Sequence, residues 1–246
     1  MFVTQIYIQK TGFMNVIITG ASKGIGNALA KKFALEERIT LYIISRAGEK
    51  LRLLREECLK MNPKAVVVVI PADLTKIRSE VLLEYIEAKH IDILINNAGV
   101  LINKPFVKME EKEIMSMVEM NFLVPVRIIS HISSLIGGNS PTHIVNIGSM
   151  GGFQGSEKFP GLSIYSATKA ALAILTECLA VEFSGKNVFF NCLALGSVQT
   201  EMFSEAFPEY KASKSPEEMA DYIAEFSMNG YRYFNGKILP VSSTEP

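Results

Sequence analysis

The fold is decided by Val16-Ile-Ile-Thr-Gly-Ala-Ser-Lys-Gly-Ile-Gly26, in which a β-branched apolar run meets three glycines and then an amphipathic stretch. Gly20, Gly24 and Gly26 follow the spacing G-x-x-x-G-x-G, which differs from the commoner G-x-G-x-x-G. Glycines allow close backbone approach, and free amides at a helix start attract anions. The stretch predicts a strand, a tight turn and a helix facing a dinucleotide pyrophosphate. An ordinary glycine-rich turn is the alternative.

The same alternation of short apolar runs and helical segments continues along the chain, and it is typical of parallel βαβ units. Strands that are apolar throughout are covered on both faces. We therefore predict an α/β fold, a doubly wound parallel sheet of seven strands with helices on both faces. The predicted strands are Asn15–Thr19, Leu41–Ser45, Ala65–Ile70, Ile91–Asn96, His143–Gly148, Asn187–Leu193 and Lys237–Val241. The predicted helices cover residues 25–37, 47–61, 76–89, 110–136, 163–184 and 216–228.

No repeat, low-complexity tract or Gly/Ser linker interrupts this pattern. We predict one domain over residues 14–246, preceded by an N-terminal extension, residues 1–13, that could be disordered. The helix predicted at 110–136 contains Pro125, and we expect a kink there because proline removes a helical hydrogen bond.

Composition limits the classes of partner. The 246 residues include 25 basic and 25 acidic side chains, so the formal charge is zero, and there is no basic footprint for nucleic acid or an anionic membrane. Apolar runs such as Ala65 to Ile70 are far shorter than the ~20 residues of a spanning helix. The three cysteines are far apart and predict reduced, buried thiols with no metal site. We expect a cytoplasmic protein with a small-molecule substrate.

The end of the second predicted strand bears on cofactor choice. An NAD-preferring protein is expected to place a carboxylate there for the ribose hydroxyls, whereas this chain has Ser45-Arg46. Arg46 and Lys23 could instead bind a 2′-phosphate, for which a guanidinium is well suited. The sequence predicts NADPH over NADH. A solvated residue at the start of a helix is the alternative for Arg46.

Polar motifs also end the third and fourth strands. Asp73-Leu74 follows the third strand, and Asn96-Asn-Ala-Gly99 follows the fourth. Their position at strand ends makes them candidates for the ligand site of a doubly wound sheet. The alternatives are a helix cap before Thr75 for Asp73 and an ordinary turn for Asn96-Asn97.

Tyr165 and Lys169 lie four residues apart and share one face of a predicted helix. The spacing is not specific, because the chain repeats it in Tyr85/Lys89, Tyr210/Lys214 and Tyr233/Lys237. Only Tyr165 follows a buried strand that ends in a hydroxyl, Ser149, and lies on a helix with small residues. Context therefore selects this pair.

Reduction of a ketone develops negative charge on oxygen, which needs a proton donor and a second hydrogen bond. Tyr165 could be the donor if Lys169 lowers its pKa from the usual value of about 10. Ser149 could bond the substrate oxygen, and Asn121 could hold a water in a proton relay. A helix residue satisfied by local contacts is the alternative for Asn121.

Taken together in order, these motifs resemble those of the short-chain dehydrogenase/reductase family from Met14 to Val241. The resemblance implies a Rossmann-type fold, homodimers or homotetramers through the helices at 110–136 and 163–184, and the catalytic set Asn121, Ser149, Tyr165 and Lys169. It implies that Lys169 also holds the nicotinamide ribose and that Asp73 faces the adenine. The implied cofactor-binding residues are Gly20, Ser22, Lys23, Gly24, Ile25, Gly26, Arg46, Asp73, Leu74, Asn97, Ala98, Gly99, Tyr165, Lys169, Gly196, Val198 and Thr200.

Three departures from the family pattern border the substrate. Leu195 occupies the place of the usual proline before Gly196, and the interval between Ser149 and Tyr165 is longer than in relatives. The substrate lid is short, around residues 201–216, with Met202, Phe203 and Phe207 as candidate apolar contacts. The leading hypothesis is an NADPH-dependent carbonyl reductase acting on a bulky or aromatic ketone. A 3-oxoacyl carrier-protein reductase and a non-catalytic NADPH-binding sensor are the alternatives.

Overall fold

The computed structural model describes residues 12–242. Most of the predicted N-terminal extension, residues 1–11, and the final residues 243–246 lie outside the described part. Gly12 and Phe13, the end of that extension, are exposed coil residues before the first strand. The domain boundaries at 14 and 246 remain predictions.

All seven predicted strands are present, with ends shifted by a few residues. They are β1 Met14–Thr19, β2 Ile39–Ser45, β3 Val66–Pro71, β4 Ile93–Asn96, β5 Thr142–Ile147, β6 Val188–Leu195 and β7 Lys237–Val241. Their order across the sheet is β3-β2-β1-β4-β5-β6-β7, and every neighbouring pair is parallel. The seven-stranded parallel sheet is confirmed.

Helices cover both faces of the sheet. They are α1 Gly24–Ala34, α2 Gly48–Met61, α3 Ser79–Tyr85, α4 Glu111–Val118, α5 Val124–His131, α6 Ser163–Glu182, α7 Glu201–Ala206 and α8 Pro216–Asn229. One apolar core joins the sheet to α1, α2 and α8, with Phe33 and Ile223 fully buried. A second core joins the opposite face to α3, α5 and α6, with Leu82 and Ile128 fully buried. The strands are apolar throughout because both faces are covered.

The strand order reverses beside β1, which lies between β2 and β4. A doubly wound sheet binds ligands at such a reversal, outside the carboxyl ends of the strands. The glycine turn follows β1, and the Asn97–Gly99 segment follows β4. The fold therefore brings both motifs to the same edge.

The helix predicted at 110–136 is wrong in its interior and at its end. A π-helical turn, Glu119–Leu123, separates α4 from α5, and α5 ends at His131. Pro125 stands in the first turn of α5, not at a kink in mid-helix. Because Pro125 has no N–H, the carbonyl of Asn121 loses its α-helical partner, and the wider turn accommodates this.

The predicted helix at 76–89 is shorter than expected, since α3 covers only Ser79–Tyr85. Its first residues form a turn in which the amides of Lys76 and Ile77 bond the Asp73 carbonyl. At the other end, the amide of Ala88 bonds the Tyr42 hydroxyl at 3.3 Å. Contacts with neighbouring segments replace the helical bonds at both ends.

In the described part of the chain, α6 is the one helix long and apolar enough, by length and composition alone, to cross a membrane. Its buried residues include Leu172 and Thr176, and Thr176 bonds Asn146 of β5. Core helices of α/β proteins commonly meet the same criteria. The finding is therefore weak evidence for a membrane span.

Candidate active site

The glycine turn has a backbone that side chains would obstruct. Gly20 and Gly24 have φ angles of 70° and 55°, which glycine adopts without steric cost. A Cβ on Gly26 would lie 2.4 Å from the Gly20 carbonyl oxygen and 2.6 Å from the side-chain Nδ2 of Asn97. The turn therefore leaves its backbone and the start of α1 open to the cavity.

Asn97 and Thr19 join the ends of β1 and β4. The Thr19 hydroxyl accepts hydrogen bonds from the amides of Asn97 and Ala98, both at 3.0 Å. The Asn97 side chain donates to the Thr19 carbonyl at 2.9 Å and to the Gly20 carbonyl at 3.3 Å. These bonds fix the glycine turn against the segment that follows β4.

A cavity of about 870 Å³ opens at this edge of the sheet. Near α2 it is lined by the glycine turn and Arg46, and near α7 it is lined mainly by apolar side chains. The predicted residues that line it are Gly20, Ser22, Lys23, Gly24, Ile25, Arg46, Leu74, Asn97, Ala98, Gly99, Ser149, Tyr165, Lys169, Gly196, Val198 and Thr200. Gly26, Asp73 and Asn121 do not line it. A dinucleotide fits this lining, because the glycines of the turn after β1 border one side of the cavity and the cations Lys23 and Arg46 border its end near α2.

Several lining residues were not predicted. Lys50 lines the same end as Arg46 and lies in the first turn of α2, so its position at the start of the helix after β2 could have identified it. The apolar end also contains Leu101, Asn103, Phe159, Leu162 and Tyr210. These belong to loops between elements, which carry no sequence periodicity.

Asp73 makes a local contact within a turn, and it caps no helix, because α3 begins only at Ser79. Its Oδ1 accepts hydrogen bonds from the Thr75 amide at 3.1 Å and the Thr75 hydroxyl at 2.8 Å. The side-chain bond with Thr75 is the main reason that the Asp73 pKa is lowered. Contact of Asp73 with an adenine stays a prediction.

Tyr165, Ser149 and Lys169 come together at the cavity wall. The Lys169 side chain is buried, and its Nζ donates to the Ile147 carbonyl at 2.7 Å and lies 5.9 Å from the centre of the Tyr165 ring. Burial lowers the pKa of Lys169 to about 8, although Cys192 opposes the shift.

The predicted lowering of the Tyr165 pKa is wrong for this structure. Burial raises that pKa, and a hydrogen bond with Ser149 offsets only part of the shift. The Lys169 ammonium donates to the Ile147 carbonyl, and desolvation of the Tyr165 phenol is the largest cause of the shift. Tyr165 therefore stays protonated at neutral pH, as a proton donor requires.

Ser149 is placed by a short 3-10 turn, Met150–Gly152. Its hydroxyl accepts the Gly151 amide at 3.1 Å. A Cβ on Gly152 would lie 2.7 Å from the Ala170 amide nitrogen, so the turn packs directly against α6 beside Lys169. This packing sets the position of Ser149 relative to α6.

The side chain of Asn121 is fully buried and engaged by local contacts. Its Oδ1 accepts the Val100 amide at 2.8 Å, and its Nδ2 donates to the Val100 carbonyl at 2.9 Å and to the Thr168 hydroxyl at 3.1 Å. The local interpretation of Asn121 agrees with this geometry. The side chain joins the segment after β4 to α6, and a water-holding role stays a prediction.

The other tyrosine–lysine pairs lack this environment. The tyrosines of these three pairs, Tyr85, Tyr210 and Tyr233, are exposed. In the selected pair, by contrast, the lysine, Lys169, is only 5% exposed. Tyr210 does line the apolar end of the cavity, which its polar sequence neighbours did not indicate.

The cysteine prediction is partly wrong. Cys58 and Cys192 are buried, but Cys178 is exposed on α6, and all three are free thiols. Across residues 12–242, no group of three His, Cys, Asp or Glu side chains is arranged to hold a metal ion.

The sequence pattern of the family described as short chain dehydrogenase matches residues 14–211. This chain belongs to that family. It is therefore an oxidoreductase, and the sequence resemblance is confirmed. The 3-oxoacyl-(acyl-carrier-protein) reductase of Chlamydia trachomatis is 30% identical over 240 residues, which cover 92% of this chain and 94% of the relative.

Solved structures share the fold of this short-chain dehydrogenase. A short chain dehydrogenase from Burkholderia cenocepacia, in complex with NADP, has a TM-score of 0.78 at 21% identity and covers 93% of this chain and 96% of its own. One from Mycobacterium paratuberculosis, bound to NAD, has a TM-score of 0.80 at 20% identity with the same coverage. These two likenesses concern the fold alone.

Proposed function

We propose that this short-chain dehydrogenase is an NADPH-dependent reductase that converts a ketone or aldehyde into an alcohol. The observation that carries the proposal is that Tyr165 and Ser149 both line the cavity that the glycine turn borders, close enough for the Ser149 hydroxyl to lower the Tyr165 pKa against the effect of burial. Buried Lys169 lies beside them. The test is loss of NADPH absorbance with a panel of ketones and aldehydes.

Bound NADPH would supply the hydride to the carbonyl carbon of the substrate. The Ser149 hydroxyl donates a hydrogen bond to the carbonyl oxygen, where negative charge develops. The Tyr165 phenol transfers its proton to that oxygen and becomes a phenolate. The Lys169 ammonium, 5.9 Å from the ring centre, stabilises the phenolate, and its bond to the Ile147 carbonyl keeps it in place.

The pH dependence of reduction should follow Lys169. Its pKa is lowered to about 8, so the ammonium is lost as the pH rises through this value, and kcat/KM should fall. Lys169→Met should reduce kcat/KM at neutral pH and abolish this alkaline decline. An alkaline decline that persists unchanged in the variant would remove Lys169 from the proposed role.

The cationic end of the cavity supports a preference for NADPH. Arg46 and Lys50 line it, and Lys23 lines it from the glycine turn. The Lys23 ammonium lies 3.9 Å from the carboxylate of Glu205. Glu205 is on α7, so it is not the carboxylate that an NAD-preferring protein is expected to have at the end of β2. The guanidinium of Arg46 and the ammonium of Lys50 suit a 2′-phosphate better than ribose hydroxyls.

Arg46→Ala should raise the KM for NADPH about tenfold or more and leave the KM for NADH nearly unchanged, since hydrogen bonds to charged groups contribute about 1.5–3 kcal/mol. Steady-state kinetics with both cofactors measure this. Arg52→Ala is the matched control, because Arg52 lies on α2, the helix that follows Arg46, does not line the cavity and pairs with Glu49 at 3.0 Å. Equal use of both cofactors by the wild type would contradict the preference.

The apolar end of the cavity supports an uncharged, bulky or aromatic carbonyl substrate. Its side chains include Leu101, Phe159, Phe203 and Phe207. Such a lining gains free energy by covering apolar substrate surface and offers little to a carboxylate or a sugar.

A second candidate is reduction of a 3-oxoacyl group on a carrier protein, favoured by the 30% identity to the chlamydial enzyme. An acidic carrier would need free basic side chains near the apolar end. Lys104 is already paired with Glu113 at 2.8 Å, and Lys158 bonds the Ser156 hydroxyl and the Phe153 carbonyl. Comparing a carrier-linked substrate with a free aromatic ketone decides between the candidates.

A non-catalytic NADPH sensor is the third possibility. It would bind NADPH without reducing any carbonyl compound. Tyr165→Phe would then leave NADPH binding unchanged, and neither wild type nor variant would consume NADPH. The placement of Tyr165 beside Ser149 in the cavity favours the enzyme, because a sensor needs no proton donor at this place.

We further propose a cytoplasmic homodimer or homotetramer. Ile174 and Val181 on α6 are 57% and 76% exposed, and Met115 on α4 is exposed as well, which gives these helices apolar surface for a second subunit. The unpaired cysteines suit a compartment that keeps thiols reduced. Sedimentation of the purified protein measures the assembly.

A further inference from the structure

Helix α7 and the segment after it form one wall of the cavity. Phe203, Phe207 and Tyr210, here called the aromatic wall, all line the apolar end. The ring centres of Phe203 and Phe207 are 5.2 Å apart, and those of Phe207 and Tyr210 are 6.3 Å apart. No residue of α7 itself is buried. The wall therefore has little packing of its own to hold it over the site.

Contacts at the base of this segment are internal to it. The Thr200 hydroxyl accepts the Phe203 amide at 3.1 Å and caps the helix. The Gln199 side chain accepts the Ala212 amide at 2.7 Å and donates to the Ser204 hydroxyl at 2.8 Å. These bonds shape the segment but do not fix it relative to Tyr165.

Asn103 links the segment to the rest of the site. Its Nδ2 donates to the Ala206 carbonyl at 2.9 Å, at the carboxyl end of α7, where helical carbonyls lack internal partners. A Cβ on Gly161 would lie 2.0 Å from Asn103 Oδ1, and the Lys104 amide bonds the Gly161 carbonyl at 3.1 Å. Asn103 thus joins three segments: the loop after β4, the loop before α6, and α7.

On the cofactor side, α7 is held only loosely. Lys23 and Glu205 are 3.9 Å apart, and their side chains are 44% and 75% exposed. Solvent screens such a pair, and exposed pairs of this kind contribute little. On the substrate side, Asn103 is exposed as well, but its 2.9 Å hydrogen bond to the Ala206 carbonyl is reinforced by its close packing against Gly161, and this contact joins α7 to the rest of the site.

We propose that Asn103 is a positioning residue for substrate selection, because it holds the aromatic wall over the reaction centre. Substrates with an apolar ring need the wall, whereas a short aliphatic ketone can reach Tyr165 without touching it. This inference rests on the proposed carbonyl reductase function. It adds that affinity for ring-bearing carbonyl compounds depends on an amide that takes no part in the chemistry.

The test compares Asn103→Asp and Asn103→Ala with wild type. Aspartate has nearly the same size, but its carboxylate cannot donate to the Ala206 carbonyl. We expect the KM for an aryl ketone to rise about fivefold, which corresponds to the loss of one hydrogen bond. The kcat, the KM for a short aliphatic ketone and the Kd for NADPH should stay unchanged. Asn229→Ala is the control, since Asn229 bonds Glu225 on α8.

Hydrogen exchange gives a readout that does not depend on turnover. The amides of Phe207 and Tyr210, which bond the carbonyls of Phe203 and Phe207, should exchange faster in both variants. Unchanged exchange overturns the proposal whatever the activity, and faster exchange with an unchanged KM for the aryl ketone overturns its substrate part.

If wild type reduces no carbonyl compound, the proposed function fails, while faster exchange still supports the role of Asn103 in holding the aromatic wall. A parallel rise in the Kd for NADPH would indicate general damage and overturn it.

Discussion

Replacing Tyr165 with phenylalanine should lower turnover of carbonyl substrates about a thousandfold, because a positioned general acid contributes about 10²- to 10⁴-fold. The change removes only the hydroxyl that bonds Ser149, and the ring can keep its place beside Lys169. The Kd for NADPH should change little. Single-turnover measurement of NADPH consumption, with NADPH binding followed separately, checks both expectations.

Tyr210→Phe is the matched control for this experiment. Tyr210 lines the same cavity and also precedes a lysine by four residues, but it is 71% exposed and belongs to the segment after α7. It should retain nearly full kcat. Equal losses in the two variants would show that the cavity, rather than the Tyr165 proton, limits the reaction.

Gly26→Ala should reduce NADPH affinity by about a hundredfold or more and lower the free energy of unfolding by about 1–3 kcal/mol, as overpacking does. The added Cβ would meet the Gly20 carbonyl oxygen at 2.4 Å and the side-chain Nδ2 of Asn97 at 2.6 Å. Neither atom can move freely, because Asn97 joins the ends of β1 and β4. NADPH fluorescence titration and thermal unfolding measure the two effects.

Gly12→Ala controls for the substitution itself, since an added Cβ there meets no atom of residues 12–242 within 4 Å. It should leave both affinity and stability unchanged. Wild-type affinity in Gly26→Ala would mean that the turn can relax without losing the cofactor site. The proposed place of the pyrophosphate would then be wrong.

The strands could be predicted because the sheet is covered on both faces. Runs such as Ile39–Ser45 must then be apolar at nearly every position, and this pattern does not depend on which helices and side chains pack against the strand. The candidate site followed from the same fact. Once the strands are known, Arg46, Asn97 and Ser149 all fall at carboxyl ends and must share one edge.

Features that depend on contacts between distant segments could not be predicted. The π-helical turn before Pro125 places Asn121 between Val100 and Thr168, and residue spacing does not encode these contacts. The raised pKa of Tyr165 depends on how deeply its ring is buried. The bond from Asn103 to Ala206 spans loops that have no periodicity.

The central place of β1 has a consequence for how the chain folds. Strand β1 is made first, yet its partner β4 lies far along the chain, with Val16 paired to Ile93. Such pairings close long loops and slow folding, and the apolar strand stays unprotected until they form. During synthesis, β1 and β2 would form an incomplete sheet until β4 is made, and the unpaired edge of β1 would be prone to aggregation. We expect refolding yields to fall as protein concentration rises, with β1 as the sequence that chaperones would need to shield.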